Sequence, residues 1–377
     1  MNKLSDEWFT IDKIVLYGWG NVGQKCFSKF EEDFTIISIV DNNPDKQGYF
    51  RGVPIMSEDT SLDLLKTNKV IVLTGGKVYR NIVNSLKKIG LEEYIDFCSV
   101  EVFISEWYWN KKGENCLLEV HTAVTMRCTF NCKNCNMFVP YYREKVEYSI
   151  DELKQMYDLF FEYVDYVFCI VLLGGEPFAT SITGALIDYL GQEYTDKIGV
   201  INVISNGSIV PDDRTIEVMR KNKVLVYLSD YSDVVPYKAK LMETVGKLQS
   251  SNIECMVYSS KEWKDFGFPV APLNLDKNVK EHMKTCAPLF HGLNDNKFYY
   301  CHVAWSAEKA GLYKLSENDY IDLNKLDIVE KRILSQHALG DMEGQCVSLC
   351  KACGGCGEDN PNNVKAAIQM ETSYEQL

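Results

Sequence analysis

The stretch Cys128-Thr129-Phe130-Asn131-Cys132-Lys133-Asn134-Cys135 sets three thiols at CxxxCxxC spacing. One short loop cannot pair three sulfurs as disulfides, so the spacing reads as a metal site. Structural zinc takes four ligands, usually as paired CxxC or CxxH. This loop supplies three, and the nearby His121 stands seven residues upstream. A 4Fe-4S cube on three thiolates leaves one iron without a protein ligand, and iron–sulfur centres are among the cofactors that carry radical chemistry.

Two later stretches close apolar runs. Leu172-Leu173-Gly174-Gly175-Glu176-Pro177 ends one, and Ser205-Asn206-Gly207 ends the next. Taken singly, the three features read as a structural zinc loop, a strand-to-helix turn and an ordinary turn. Together, in order and each at a strand end, they resemble the radical S-adenosylmethionine (radical SAM) family. The resemblance implies that Cys128, Cys132 and Cys135 hold a 4Fe-4S cluster whose open iron takes the amino and carboxylate groups of S-adenosyl-L-methionine. It places Gly174, Gly175, Glu176 and Pro177 near the methionine amino group, Ser205 and Asn206 near the ribose, and Ser229 near the carboxylate or ribose. For Ser229 the plain reading is a cap on the following turn. One electron from a flavodoxin- or ferredoxin-type donor would cleave the sulfonium, and the resulting 5'-deoxyadenosyl radical would take hydrogen from a substrate C–H bond. Asn134 departs from the family pattern, which often has an aromatic residue there to seat adenine.

The elements that must position these residues alternate. Strands are expected at 13–17, 35–40, 69–73, 117–121, 167–173, 198–204, 224–228 and 253–258. Helices are expected between them, the one from Ile150 opened by the capping box Ser149-Ile150-Asp151-Glu152. Such alternation implies parallel sheets with right-handed crossovers, an α/β fold. The expected organisation is a Rossmann-like domain over 1–100, a linker over 101–115, and a partial (β/α)6 barrel over 116–280, as the resemblance implies. A small cysteine-rich extension over 281–360 and a polar tail over 361–377 complete it.

In the first of these, Gly18-Trp19-Gly20-Asn21-Val22-Gly23 is a GxGxxG between strand and helix, and Asp41 ends the second strand. Gly18, Gly20, Gly23 and Asp41 are therefore candidate nucleotide contacts, although glycines serve tight turning equally well. Val40-Asp41-Asn42-Asn43-Pro44, with Gly52-Val53-Pro54-Ile55 after it, resembles the small nucleotide-sugar-binding domain fused to several polysaccharide-building enzymes. NAD(H) binding and an empty docking domain are the other readings. Trp107, Tyr108 and Trp109 are expected to pack between domains.

Six further cysteines, Cys286, Cys301, Cys346, Cys350, Cys353 and Cys356, crowd the last hundred residues. The stretch from Cys286 through Gly292, with Asn296-Lys297-Phe298-Tyr299-Tyr300-Cys301, resembles the start of a SPASM or twitch extension, which holds an auxiliary 4Fe-4S cluster. Cys350 and Cys353 then complete four ligands, with Cys346 and Cys356 as alternates. A zinc ribbon would use the same thiolates. Asn296 stands where the family usually has Gly, and it tolerates the left-handed turn conformation. Cys26, Cys98, Cys116, Cys169 and Cys255 read as small buried hydrophobes. Cys169 or Cys255 carries a second reading, return of a hydrogen atom to a substrate radical. Glu119 and His121 share one strand face and are candidates to line the cavity, or to make only a structural hydrogen bond.

A net charge of −13 over 377 residues argues against a nucleic-acid or anionic-membrane partner. The first residues carry Asp6, Glu7 and Asp12, and no apolar run reaches the length of a membrane span, so a cytoplasmic location is expected. The expected activity is dehydrogenation or epimerisation of a sugar or nucleotide sugar, in polysaccharide or glycoconjugate biosynthesis. The alternatives are maturation of a ribosomally made peptide and a non-catalytic iron–sulfur or zinc sensor.

Overall fold

The computed structural model describes residues 3–144, 146–267, 278–286, 290–341 and 346–370. The chain divides into two compact units, Met1–Leu118 with Val164–Phe168, and Glu119–Tyr163 with Cys169–Leu377.

The first unit runs β1 (Lys13–Tyr17), α1 (Asn21–Asp33), β2 (Thr35–Val40), β3 (Gly48–Phe50), β4 (Val53–Met56), α2 (Leu62–Thr67), β5 (Lys69–Val72), α3 (Gly76–Lys88), β6 (Phe97–Ser99) and α4 (Val100–Lys112). The Val- and Ile-rich strands β1 and β5 are almost wholly buried, as strands covered on both faces must be. The sheet order is β3-β4-β2-β1-β5-β6, parallel except for the β3–β4 hairpin. That is a Rossmann-like order with its switch point between β1 and β5. Where a linker was expected, residues 100–112 form helix α4, capped by the Ser99 hydroxyl and ended by Gly113 at φ +70. Its aromatics pack inside this unit: Phe103 lies against Trp8 and Phe30, and Trp107 against Phe34.

The second unit is built on β7 (Cys116–Thr125), α5 (Ile150–Tyr163), β8 (Tyr166–Gly174), α6 (Ile182–Glu193), β9 (Ile198–Ser205), α7 (Asp213–Lys221), β10 (Leu225–Asp230), α8 (Lys238–Ser250) and β11 (Cys255–Ser259). There follow β12 (Glu262–Lys264), α9 (Val279–Cys286), β13 (His291–Asn294), β14 (Lys297–Tyr299), α10 (His302–Lys309), β15 (Tyr320–Asp322), α11 (Ile333–Ala338) and β16 (Asn363–Lys365). One open sheet takes the order β11-β10-β9-β8-β7-β13-β14-β15. β10 is parallel to both β9 and β11, and β13 is parallel to β7. The five expected strands are β7 to β11, and β12 does not extend them; it pairs instead with β16. The β13–β14 turn holds Asp295 and Asn296 at φ +56 and +55, so Asn296 does adopt the left-handed conformation that a two-residue hairpin requires. Residues 361–370 are not a free tail, since β16 and the residues after it pair back onto the fold. Residues 268–277, 287–289, 342–345 and 371–377 of the expected segments lie outside the described residues.

Candidate active site

The carboxyl ends of β7, β8, β9 and β10 carry, in turn, the three-cysteine loop, Gly174-Gly175, Ser205-Asn206 and Ser229. Parallel strands collect ligands at this end because their loops and helix N-termini converge there. All four groups line one cavity of about 550 Å³.

The loop leaves β7 after Thr125 and is drawn against the end of β8. Gly175 N donates to Thr125 O at 2.8 Å, and Glu176 N donates to Arg127 O at 2.7 Å. This approach needs glycine: a Cβ on Gly174 would stand 2.1 Å from Thr125 O, and one on Gly175 would stand 2.2 Å from Arg127 O. Phe130 N donates to the Cys128 sulfur at 3.4 Å, and Asn206 Nδ2 lies 3.6 Å from it. Burial pushes the Cys128 thiol up to about 12 and the Cys132 thiol up to about 11. A metal that binds here must displace those protons. Among the described residues no three His, Cys, Asp or Glu side chains converge tightly enough for a single ion. The donor set of three sulfurs at one cavity wall, with N–H groups directed at two of them, fits an iron–sulfur cube.

Glu176 is fully buried, and its carboxylate turns away from the cavity to tie two motifs together. One oxygen accepts from Ser205 Oγ at 2.8 Å and Phe178 N at 3.1 Å, the other from Asn206 N at 2.8 Å. Burial outweighs these donors and pushes its carboxyl up to about 7. Ser205 Oγ also accepts from Gly207 N at 2.9 Å. Glu176 and the Ser205 hydroxyl therefore hold the β8 and β9 ends in register, which leaves Asn206 and the backbone as the groups facing the loop. Beside Ser229, whose carbonyl accepts from Tyr237 Oη at 2.9 Å, Phe130 packs edge-on to Tyr237 with ring centroids 4.9 Å apart.

At another wall His121 lines the cavity and its Nε2 donates to Glu119 at 2.7 Å; Glu119 is not among the lining residues, so of this expected pair only His121 faces the cavity. Asn294 is locked to Ala123 by paired bonds of 3.0 Å, so its Oδ1 must accept from His302 Nε2, also at 3.0 Å. Burial holds His302 neutral, and the imidazole stacks on Trp305. Trp263, Phe266 and Phe290 add aromatic surface to the cavity, and Glu262 and Lys264 add charge. Cys169 is fully buried and accepts from Asn202 Nδ2 at 3.2 Å, whereas Cys255 begins the edge strand; neither is among the residues lining this cavity.

The carboxyl-terminal cysteines gather around the end of α9. The Cys356 sulfur lies 3.5 Å from that of Cys286, which accepts from Cys356 N at 3.4 Å. This contact lowers the Cys286 thiol, while Cys301, Cys350 and Cys356 are raised, the first two chiefly by burial and Cys356 chiefly by its hydrogen bond to Cys286. Cys356 also lines the cavity. Buried His282, given no role from the sequence, bonds Asp359 at 2.5 Å and the Cys353 carbonyl at 3.0 Å and so braces this cysteine turn. Its signal was only its place four residues before Cys286.

In the first unit, the loop after β1 is closed by Asp41, which accepts from Trp19 N at 2.8 Å, Asn43 N at 2.9 Å and Lys46 Nζ at 3.3 Å. Gly18 has φ +106 and touches Thr74 where a Cβ would stand, and Gly23 lets α1 approach Gly18 O. Gly20 faces open space.

No protein-family model and no curated protein matches the chain. Among solved structures it is similar to native anSMEcpe with bound AdoMet and Cp18Cys peptide, at 16% identity over 38% of this chain and 42% of that one, TM-score 0.30. It is similar to Streptococcus suis SuiB bound to precursor peptide SuiA, at 15% identity over 53% and 43%, TM-score 0.32. It is also similar to BtrN in complex with AdoMet and 2-DOIA, at 10% identity over 70% and 98%, TM-score 0.40. The chain thus spans between about two fifths and just over half of the length of anSMEcpe and SuiB. Its three-cysteine loop, glycine pair and Ser-Asn-Gly turn meet at one cavity, the arrangement that its resemblance to the radical SAM family implies.

Proposed function

We propose that the chain is a radical SAM enzyme acting on a compact, hydroxyl-bearing substrate of the sugar or nucleotide-sugar class. The observation that carries the reading is the convergence of Cys128, Cys132, Cys135, Gly174, Gly175, Ser205, Asn206 and Ser229 on one cavity. When bound there, a 4Fe-4S cluster and S-adenosylmethionine supply a 5'-deoxyadenosyl radical after a one-electron cleavage. The chain's own residues then have separable tasks. The three thiolates hold the cluster, and Gly174-Gly175 let the strand end approach the loop so that backbone groups reach the cofactor. Glu176 holds Asn206 in place. His121, which lines the cavity and bonds Glu119 through Nε2, is placed to exchange a proton with a substrate hydroxyl.

A cavity of about 550 Å³ that must hold both cofactor and substrate suits a small molecule better than an extended peptide. The flat faces of Trp263 and Phe290 beside Glu262 and Lys264 suit a polyhydroxylated ring, apolar on its faces and polar at its rim. Cys286, Cys301, Cys353 and Cys356 are proposed to hold an auxiliary cluster, with Cys350 beside them, and Gly18, Gly20, Gly23 and Asp41 to frame a nucleotide-sugar site in the first unit.

Reconstitution without oxygen, followed by assay of 5'-deoxyadenosine with nucleotide sugars and with peptides, tests the reading. Release accelerated by a sugar nucleotide is expected. Acceleration by peptides alone would move the substrate to the maturase class, and no release at all would refute the enzyme.

A further inference from the structure

After β16 the chain does not leave the molecule. Ala366 N donates to Lys261 O, and Ala367, fully buried, turns at φ +57, a conformation that costs a residue with a Cβ. The next residues lie along the three-cysteine loop through one isolated antiparallel bridge. Lys133 N donates to Ile368 O at 2.8 Å, Met370 N donates to Asn131 O at 2.7 Å, and Cys132 and Gln369 pair antiparallel. The Gln369 side chain straddles the loop. Its Oε1 accepts from Asn131 N at 2.7 Å, while its Nε2 donates to Ala367 O at 2.7 Å and to the Cys132 sulfur at 3.2 Å. Cys132 is thereby buried, in a cluster with Phe130 and Ala367.

An N–H directed at a ligating sulfur stabilises the more negative state of a cluster, and hydrogen bonds to the sulfurs are among the factors that set cluster potentials. Gln369 is well built for this role, because its own oxygen and second N–H bond are both held by backbone and the amide cannot turn away. We propose that residues 366–370 form a strap along the three-cysteine loop, and that Gln369 is a positioning residue that would raise the reduction potential of a cluster held there, through Cys132. This rests on the assignment of Cys128, Cys132 and Cys135 as cluster ligands.

The test uses full-length wild type, Gln369→Glu and Gln369→Leu. The first variant keeps the acceptor for Asn131 N and removes the donor, and the second removes both. Each is reconstituted, its iron and sulfide are measured, and the cluster's midpoint is read by electron paramagnetic resonance during a redox titration. Both variants are expected to titrate at more negative potential than wild type. Unchanged midpoints in the loaded protein would overturn the role of Gln369. Independently, iodoacetamide labelling of Cys132 in the metal-free protein is expected to be several-fold faster in Gln369→Leu, and an unchanged rate would overturn the strap. A wild type that takes up no cluster, yet shows the labelling difference, would refute the cluster assignment and with it the role in setting potential, while leaving the strap standing.

Discussion

Replacing Gly174 by Ala tests whether the glycine pair exists to let β8 touch the cysteine loop. The new Cβ would stand 2.1 Å from Thr125 O and 3.2 Å from Thr125 C, and φ is +139. The obstructing atom is backbone, and it already accepts from Gly175 N, so it cannot swing aside like a side-chain tip. Relief requires the loop and the strand end to part by roughly an ångström, with an overpacking cost of about 1–3 kcal/mol. The backbone conformation adds a cost on the order of 1–3 kcal/mol. The melting temperature should fall by about 2–4 °C for each kcal/mol lost. Misplacing the reacting groups by an ångström should lower 5'-deoxyadenosine formation about 10²-fold. Anaerobic thermal melts and product chromatography at saturating S-adenosylmethionine read the two effects separately. A Gly174→Ala protein that melts and turns over like wild type would refute the close-approach argument.

Three further outcomes are expected. Because Glu176 carries a carboxyl raised from 4.5 to about 7, its contribution to stability is complete below about pH 4.5 and is lost as the pH rises through about 7, for a total of about 3 kcal/mol. The melting temperature of wild type minus that of Glu176→Gln should therefore fall as the pH rises from 5 to 8, and parallel curves would contradict this; buried His291 and His337, whose values are lowered, act in the opposite sense and cancel in the comparison. On the proposed auxiliary site, Cys286→Ser and Cys356→Ser should each lower the iron bound on reconstitution while leaving the share held at Cys128, Cys132 and Cys135, and full iron in Cys356→Ser would return the fourth place to Cys350. Gly20→Ala, with nothing near its Cβ, should leave the melt within about 0.5 kcal/mol of wild type, and a larger loss would mean that the loop moves.

The βα series was legible because its signals are periodic: helices α6 (Ile182–Glu193) and α7 (Asp213–Lys221) begin and end where the apolar pattern does. Helix α4 was hidden for the opposite reason. Val100 to Tyr108 are nearly all buried, Ser105 and Glu106 among them, so its polar residues do not mark a solvent face and the helical period is blurred. The three cysteines could be found from their spacing, but the direction of Glu176 could not. Whether a carboxylate faces a ligand or a neighbouring turn depends on donors 29 and 30 residues away in the chain. Gln369 lies 237 residues from the sulfur it serves, in a stretch too short to show a pattern of its own.

A strand has two hydrogen-bonding edges, and both edges of β7 are occupied, one by β8 and the other by β13. The sheet therefore has no free first strand with which β11 could join to form a ring, and β11 keeps an outer edge with Val257 and Tyr258 exposed. The β12–β16 ribbon, whose Trp263 lines the cavity, consequently forms a two-stranded sheet separate from the strands that carry the cysteines and glycines. Substitutions in that ribbon would thus reshape the cavity wall while the sheet that carries the cysteines and glycines stays as it is.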